Sequence, residues 1–201
     1  MIQPIFALQP YSNLSKALQK ECNRVWRAAF GYSWFSSLAL YDESDWVCVC
    51  IDESSQNVLA CCFISFQHNS YYIYNVCSDP KYKGYGFGRS LLKHVLSKTK
   101  FLKSQDPLAP ASLKSQGEQR ELRSPGRSKS QVFRLSVHLA NVNKATVPFV
   151  EQRVKLYSDL GFGIETVKVE NNMIIVEMST DVDPFQNFAW FQHISEKLNL
   201  I

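Results

Sequence analysis

Nowhere among these 201 residues do two cysteines stand as Cys-x-x-Cys, and no apolar run approaches the roughly 20 residues of a membrane span. The first absence removes support for a structural zinc site or a dithiol redox motif. The second excludes a helix that crosses a bilayer. The opening residues, Met1 to Pro10, lack a basic segment followed by an apolar one, so a soluble, unexported, cytoplasmic protein is expected. Charge of one sign is also sparse over most of the chain. The formal net charge is +4, and Phe101 to Gln131 alone hold six basic against three acidic side chains, a net +3. That segment carries Pro107, Pro110, Gly117 and Pro125, is rich in Ser and Gln, and shows no periodicity. It reads as a disordered basic insertion at 101–131. Without interleaved aromatic residues it would make at most a weak, salt-sensitive contact with nucleic acid.

What is present points to a folded core. Hydrophobic residues make up 45% and aromatic residues 13%, far from the composition of a disordered chain. Cys48, Cys50, Cys61, Cys62 and Cys77 all fall in predicted strands, where they read as small core residues and reduced thiols. The most informative stretch runs from Asn75 to Leu92. An apolar strand, Tyr71 to Cys77, enters a short basic loop with Gly84, Gly86 and Gly88 at alternate positions, and an amphipathic helix begins at the last of them. Glycine leaves no Cβ between main chain and ligand, so successive amides can converge on an anion beside the positive end of a helix. A pyrophosphate suits that arrangement. The spacing is wrong for a P-loop, because Arg89, not Lys-Ser/Thr, follows Gly88. It is equally wrong for a G-x-G-x-x-G dinucleotide fingerprint.

Lys83-Gly84-Tyr85-Gly86-Phe87-Gly88, preceded by Pro80-x-Tyr82 and followed by Leu91-Leu92, resembles the acetyl-CoA loop of the GNAT N-acetyltransferase family, Gln/Arg-x-x-Gly-x-Gly/Ala. Lys83 is the departure; it keeps the charge but loses the planar fork of Arg. A second match is Leu156-Tyr157-Ser158-Asp159-Leu160-Gly161-Phe162. The order of predicted elements agrees too. A strand spans Ile2 to Leu8, and Ser12 caps a helix with Leu14, Leu18, Val25 and Ala29 on its apolar face. Strands follow at Trp46 to Ile51, Val58 to Phe66 and Tyr71 to Cys77, then the loop and its helix. Beyond the insertion come a strand at Phe133 to Leu139, a helix from about Pro148 to Leu160, and a hairpin of Ile164 to Val169 with Met173 to Met178. Asp183-Pro184-Phe185-Gln186 resembles a capping box that opens a last helix.

The resemblance implies an α/β (α+β) fold with a central, mixed, mostly antiparallel sheet that splays, flanked by helices. It covers 1–180, with the helix of 181–201 as an addition. It implies transfer of acetyl from acetyl-CoA, as co-substrate and without a metal, to a primary amine on a small molecule or a protein. By the same resemblance the Tyr157 hydroxyl protonates the departing thiolate. Lys83, Gly84, Tyr85, Gly86, Phe87, Gly88 and Arg89 hold the diphosphate. The main chain of Val76, Cys77 and Ser78 pairs with the pantetheine arm as an added strand would. Asn143, or Asn141, is the candidate for a further pantetheine contact.

A lysine-like amine near neutral pH needs roughly 4 kcal/mol to lose its proton. The fourth strand, Tyr71-Tyr72-Ile73-Tyr74-Asn75, offers no carboxylate for that task, and His138 on the fifth strand is the substitute. Tyr32, Trp34 and Phe35 are candidates to wall the acceptor pocket, and Asp42, Glu43 and Asp45 to attract a cation. The alternatives are a catalytically weak acyl-CoA-binding module, and an acetyltransferase whose basic insertion touches nucleic acid.

Overall fold

The computed structural model describes residues 2–30, 45–67, 70–98, 132–140, 147–170 and 173–184. The first helix's connector, the insertion, Asn141, Asn143 and the helix expected after Asp183 lie outside them, as do Tyr32, Trp34, Phe35, Asp42 and Glu43. Seven strands form one sheet among the described residues: β1 (Pro4–Pro10), β2 (Trp46–Asp52), β3 (Val58–Gln67), β4 (Ser70–Ser78), β5 (Phe133–Ala140), β6 (Gly163–Glu170) and β7 (Met173–Ser179). Their order across the sheet is β1-β2-β3-β4-β5-β7-β6. Every neighbouring pair is antiparallel except β4 and β5. Among the described residues three α-helices flank the sheet: α1 (Lys16–Phe30), α2 (Phe87–Ser97) and α3 (Val147–Ser158).

Alternation along the strands explains the two layers. In β2, Val47, Val49 and Ile51 face α1, where they meet Cys22, Val25, Trp26 and Phe63. Cys48 and Cys50 face the other way, toward Leu91, Leu92 and Val95 of α2 and Val150 and Val154 of α3. A strand covered on both faces has no polar side, which is why β2 is buried along nearly its whole length. The Trp26 and Phe63 rings stack at 4.2 Å and anchor α1 to the sheet. Each such fully buried side chain contributes on the order of 1.5–3 kcal/mol. The six cysteines are free and buried. Burial raises Cys48 to about 12 and Cys50 to about 11, and holds Cys61 and Cys62 well above the ordinary thiol range.

Two details differ from the sequence reading. Ser12 lies inside a 3-10 turn, Tyr11–Asn13, and does not cap α1. Ser15 takes that role, its Oγ accepting the Leu18 N–H at 3.3 Å. The Gln19 amide ties the turn to the helix by donating to the carbonyls of Tyr11 and Leu14. The inward stripe of α1 therefore runs through Cys22, Val25 and Trp26, and Ala29 faces solvent. Among the described residues no helix is long and apolar enough to cross a membrane.

Candidate active site

The sheet parts in its middle. β4 and β5 run parallel and are paired only at Tyr71 with Phe133, Tyr72 with Arg134 and Ile73 with Leu135. Beyond Ile73 the two strands diverge, and among the described residues no strand lies beside the β5-facing edge of Tyr74 to Ser78. A bulge sharpens the divergence. Between the rungs Phe63 with Tyr74 and Cys61 with Cys77, β4 carries one residue more than β3, and Asn75 there has φ 51°. An extra residue bends a strand and re-aims the main chain beside it. Val76, Cys77 and Ser78 therefore sit on that edge. The side chains of Val76 and Cys77 are committed elsewhere. Val76 packs toward α2 and α3, whereas the Cys77 thiol lies 3.5 Å from that of Cys61 in the α1 layer. Any contact they make to a ligand in the gap is a main-chain one.

The loop after β4 is built from local rules. Asp79 opens a 3-10 turn, Pro80–Tyr82, its carboxylate accepting the Lys81 N–H at 2.9 Å. Arg24 of α1 reaches the same carboxylate at 2.8 Å, so a buried charge fixes the start of the loop to α1. Gly84 and Gly86 follow with φ of +90° and +80°, which side chains disfavour, and a Cβ on either would meet nothing within 4 Å. The space above both glycines is open. Gly86 is the residue before α2, and the first N–H in that helix to find a carbonyl is that of Ser90, bonded to Gly86 at 3.0 Å. The amides of Phe87, Gly88 and Arg89 thus have no intrahelical partner. Gly88 is needed for contact and not for its φ, since a Cβ there would stand 3.0 Å from the Ser78 Oγ. Lys83 and Tyr85 are exposed, Phe87 is buried, and Arg89 pairs at 3.1 Å with Asp159, the residue just after α3. Open amides at a helix N-terminus, flanked by Lys81, Lys83 and Arg89, suit a multiply charged anion.

Tyr157 is held by the way α3 ends. Gly161 takes φ +93°, and the N–H groups of Leu160 and Phe162 both turn back to the Tyr157 carbonyl, at 3.0 and 3.1 Å. This is the glycine-terminated helix end that satisfies orphan carbonyls. It brings the Phe162 ring edge-on to the Tyr157 ring at 6.4 Å. The Leu-Tyr…Gly-Phe signature is thus a positioning device for one phenol. That phenol is nine-tenths buried in the layer shared with α2. Burial is the main cause that raises its pKa, and the Cys62 thiol adds to it while Arg153 opposes. A raised phenol keeps its proton at neutral pH and is a hydrogen-bond donor.

His138 lies in β5, in register with Ile175 of β7; its side chain is outside the described residues. The Tyr74 hydroxyl donates to the Asp45 carboxylate. The sequence reading offered Asp45 only as one of three acidic residues that could attract a cation, and its contact with Tyr74, 29 positions away, left no local signal. The Arg24–Asp79 pair was missed for the same reason. Among the described residues no group of three or more His, Cys, Asp or Glu side chains converges as a metal site.

Comparison with known proteins agrees with this geometry. The family model described as acetyltransferase (GNAT) family matches residues 12–105. None of the curated proteins compared with the chain matches it. Among solved structures, the ribosomal-protein-S18-alanine N-acetyltransferase of Escherichia coli is similar with a TM-score of 0.54 at 14% identity, over 87% of this chain and 92% of that one. Escherichia coli ElaA gives 0.55 at 13% identity, over 88% and 99%. An acyl-CoA N-acyltransferase from Pseudomonas aeruginosa gives 0.56 at 14% identity, over 88% and 99%. At such identities the likeness concerns the fold.

Proposed function

We propose that this chain, whose residues 12–105 match the acetyltransferase (GNAT) family model, transfers the acetyl group of acetyl-CoA to a primary amine by direct attack. The observation that carries the proposal is the union of two features at one place. A free strand edge at Val76 to Ser78 runs straight into a loop whose amides, from Gly86 to Arg89, are open at the N-terminus of α2. A thioester arm ending in a diphosphate has both parts to match. The amides of Phe87, Gly88 and Arg89, with the charges of Lys83 and Arg89, hold the diphosphate. The edge of β4 lays the pantetheine arm along the gap. Asn143 remains a candidate for that arm, from the sequence alone.

In the reaction the protein orients and moves protons. The β4 edge fixes the thioester between the diverging strands, and the surrounding core keeps water from it. An amine nitrogen attacks the carbonyl carbon, a C–N bond forms and the C–S bond breaks. Tyr157, protonated and buried, gives its hydrogen to the sulfur as charge develops there. Tyr157→Phe keeps the ring against Phe162 and removes that hydrogen. The variant should lose about 10²-fold or more in kcat while its affinity for CoA is unchanged by calorimetry. Equal activity of the two proteins would remove Tyr157 from the mechanism. A chain that binds no CoA would remove the proposal itself.

A further inference from the structure

Resting on the proposed acetyl transfer, we infer that the ring of Tyr85 is a shelf on which the adenine base of the cofactor stacks, so that this side chain sets affinity for the nucleotide end. Tyr85 is 67% exposed, more than any other large hydrophobic residue described. Single exposed apolar residues are ordinary on a protein surface. This one differs because its ring is fixed. It lies nearly parallel to the Phe87 ring, with centroids 5.9 Å apart and an interplanar angle of 13°. Tyr82 meets both rings edge-on, at 6.1 Å in each case. Phe87 is buried at the start of α2, in the core that α2 shares with α3, and Tyr82 packs against the same core. The three rings thus make a series that begins in the core and ends in solvent at Tyr85. With one face against Phe87 and most of the residue exposed, the other face of Tyr85 is open.

The main-chain N–H of Tyr85 is already committed. It donates to the Tyr82 carbonyl at 3.2 Å and closes the turn, whereas the amides of Phe87, Gly88 and Arg89 have no intrahelical partner. What Tyr85 presents to a ligand is therefore its ring. Gly84 and Gly86 stand on either side of it and add no side chain that would crowd a flat group laid over the loop.

A diphosphate held at the first turn of α2 carries two substituents. The pantetheine arm leaves along the edge of β4. The adenosine leaves on the other side, one ribose from the phosphates, where the loop presents Tyr85. A purine laid on the open face of that ring extends the Phe87–Tyr85 stack by one member and removes from water a face that is now wet. Such a contact senses a flat aromatic surface and ignores the hydrogen-bonding edge of the base.

The test uses the full chain and calorimetry with CoA, with adenosine 3′,5′-diphosphate, which keeps the base, and with pantetheine 4′-phosphate, which lacks it. Tyr85→Ala should weaken CoA and adenosine 3′,5′-diphosphate about tenfold and leave pantetheine 4′-phosphate within about twofold of the wild type. Tyr85→Trp, which restores a flat ring, should bind CoA at least as tightly as the wild type. A CoA bearing fluorescent ethenoadenine gives a signature of stacking. Its emission should be quenched when bound to the wild type and to Tyr85→Trp, and not when bound to Tyr85→Ala at saturation. Unchanged CoA affinity in Tyr85→Ala, an equal loss for all three ligands, no recovery with Trp, or equal emission from every complex would overturn the inference. Failure of the acetyl-transfer reading would appear separately, as a wild-type chain that neither binds CoA nor acetylates any amine.

Discussion

Replacing Arg24 with Met should destabilise the protein more than replacing its partner Asp79 with Asn, although both break the Arg24–Asp79 ion pair and the only other described pair lost with Arg24, to Glu21, is partly exposed on both sides. The pair is lopsided. The Asp79 side chain is 3% exposed and that of Arg24 38%. Removing Arg24 strands a buried carboxylate with the Lys81 N–H as its remaining partner among the described residues. Breaking a fully buried pair this way costs about 3–5 kcal/mol. Because Arg24 is partly solvated, about 2–3 kcal/mol is expected here. Asp79→Asn instead removes the buried charge, keeps an oxygen for the Lys81 N–H, and leaves Arg24 with Glu21 at 3.0 Å. Its cost should be about 1 kcal/mol. Urea unfolding of both single variants and the double variant gives the ordering and the coupling. In the double variant the Met should add little to the Asn, since no charge is left to strand. Equal single costs, the reverse order, or strict additivity would refute the account. Both variants should also weaken CoA binding, because the same carboxylate holds the start of the loop.

Three further outcomes follow from the structure. Gly86→Ala forces a side chain into φ +80° with open space around it, so its cost is conformational, about 1–2 kcal/mol by urea unfolding, together with weaker CoA binding. Thr166 donates to Glu177 and is the largest cause of that carboxylate's lowered pKa, with Lys168 assisting against a desolvation that raises it. The stability this gives is complete above the unfolded carboxylate value of about 4.3 and fades as pH falls through the lower folded value, so Thr166→Val should flatten the acid limb of a plot of melting temperature against pH. Iodoacetamide should label the six buried thiols only on unfolding, measured by mass; rapid labelling of Cys61 or Cys62 in the native protein would contradict their burial and raised pKa.

The sequence was legible where structure is local. The apolar run of Trp46 to Ile51, the alternation of Phe133 to Leu139, the glycines at 84, 86 and 88, and Gly161 after the third helix each encode their geometry within a few residues. The order of elements and the position of the loop could therefore be read without coordinates. Misreadings arose where two local choices compete. Ser12 and Ser15 are both plausible caps, and the Gln19 amide tipped the balance by closing the Tyr11–Asn13 turn onto the helix. Long-range pairs were invisible for a different reason. Asp45 with Tyr74, Arg24 with Asp79 and Arg89 with Asp159 exist only after the sheet has brought distant segments together. The bulge at Asn75 was equally hidden, because it is a mismatch between two strands and not a property of one.

Among the described residues, three parallel rungs are the only strand pairing between one half of the sheet and the other at its centre. Such a seam makes the domain two ribbons on a shared spine, able to pivot slightly about Tyr71 to Ile73. Anything lodged in the cleft and pairing with the loose margin of β4 would splint that pivot. Occupancy should then register less as a change of shape than as a stiffening across the middle of the molecule.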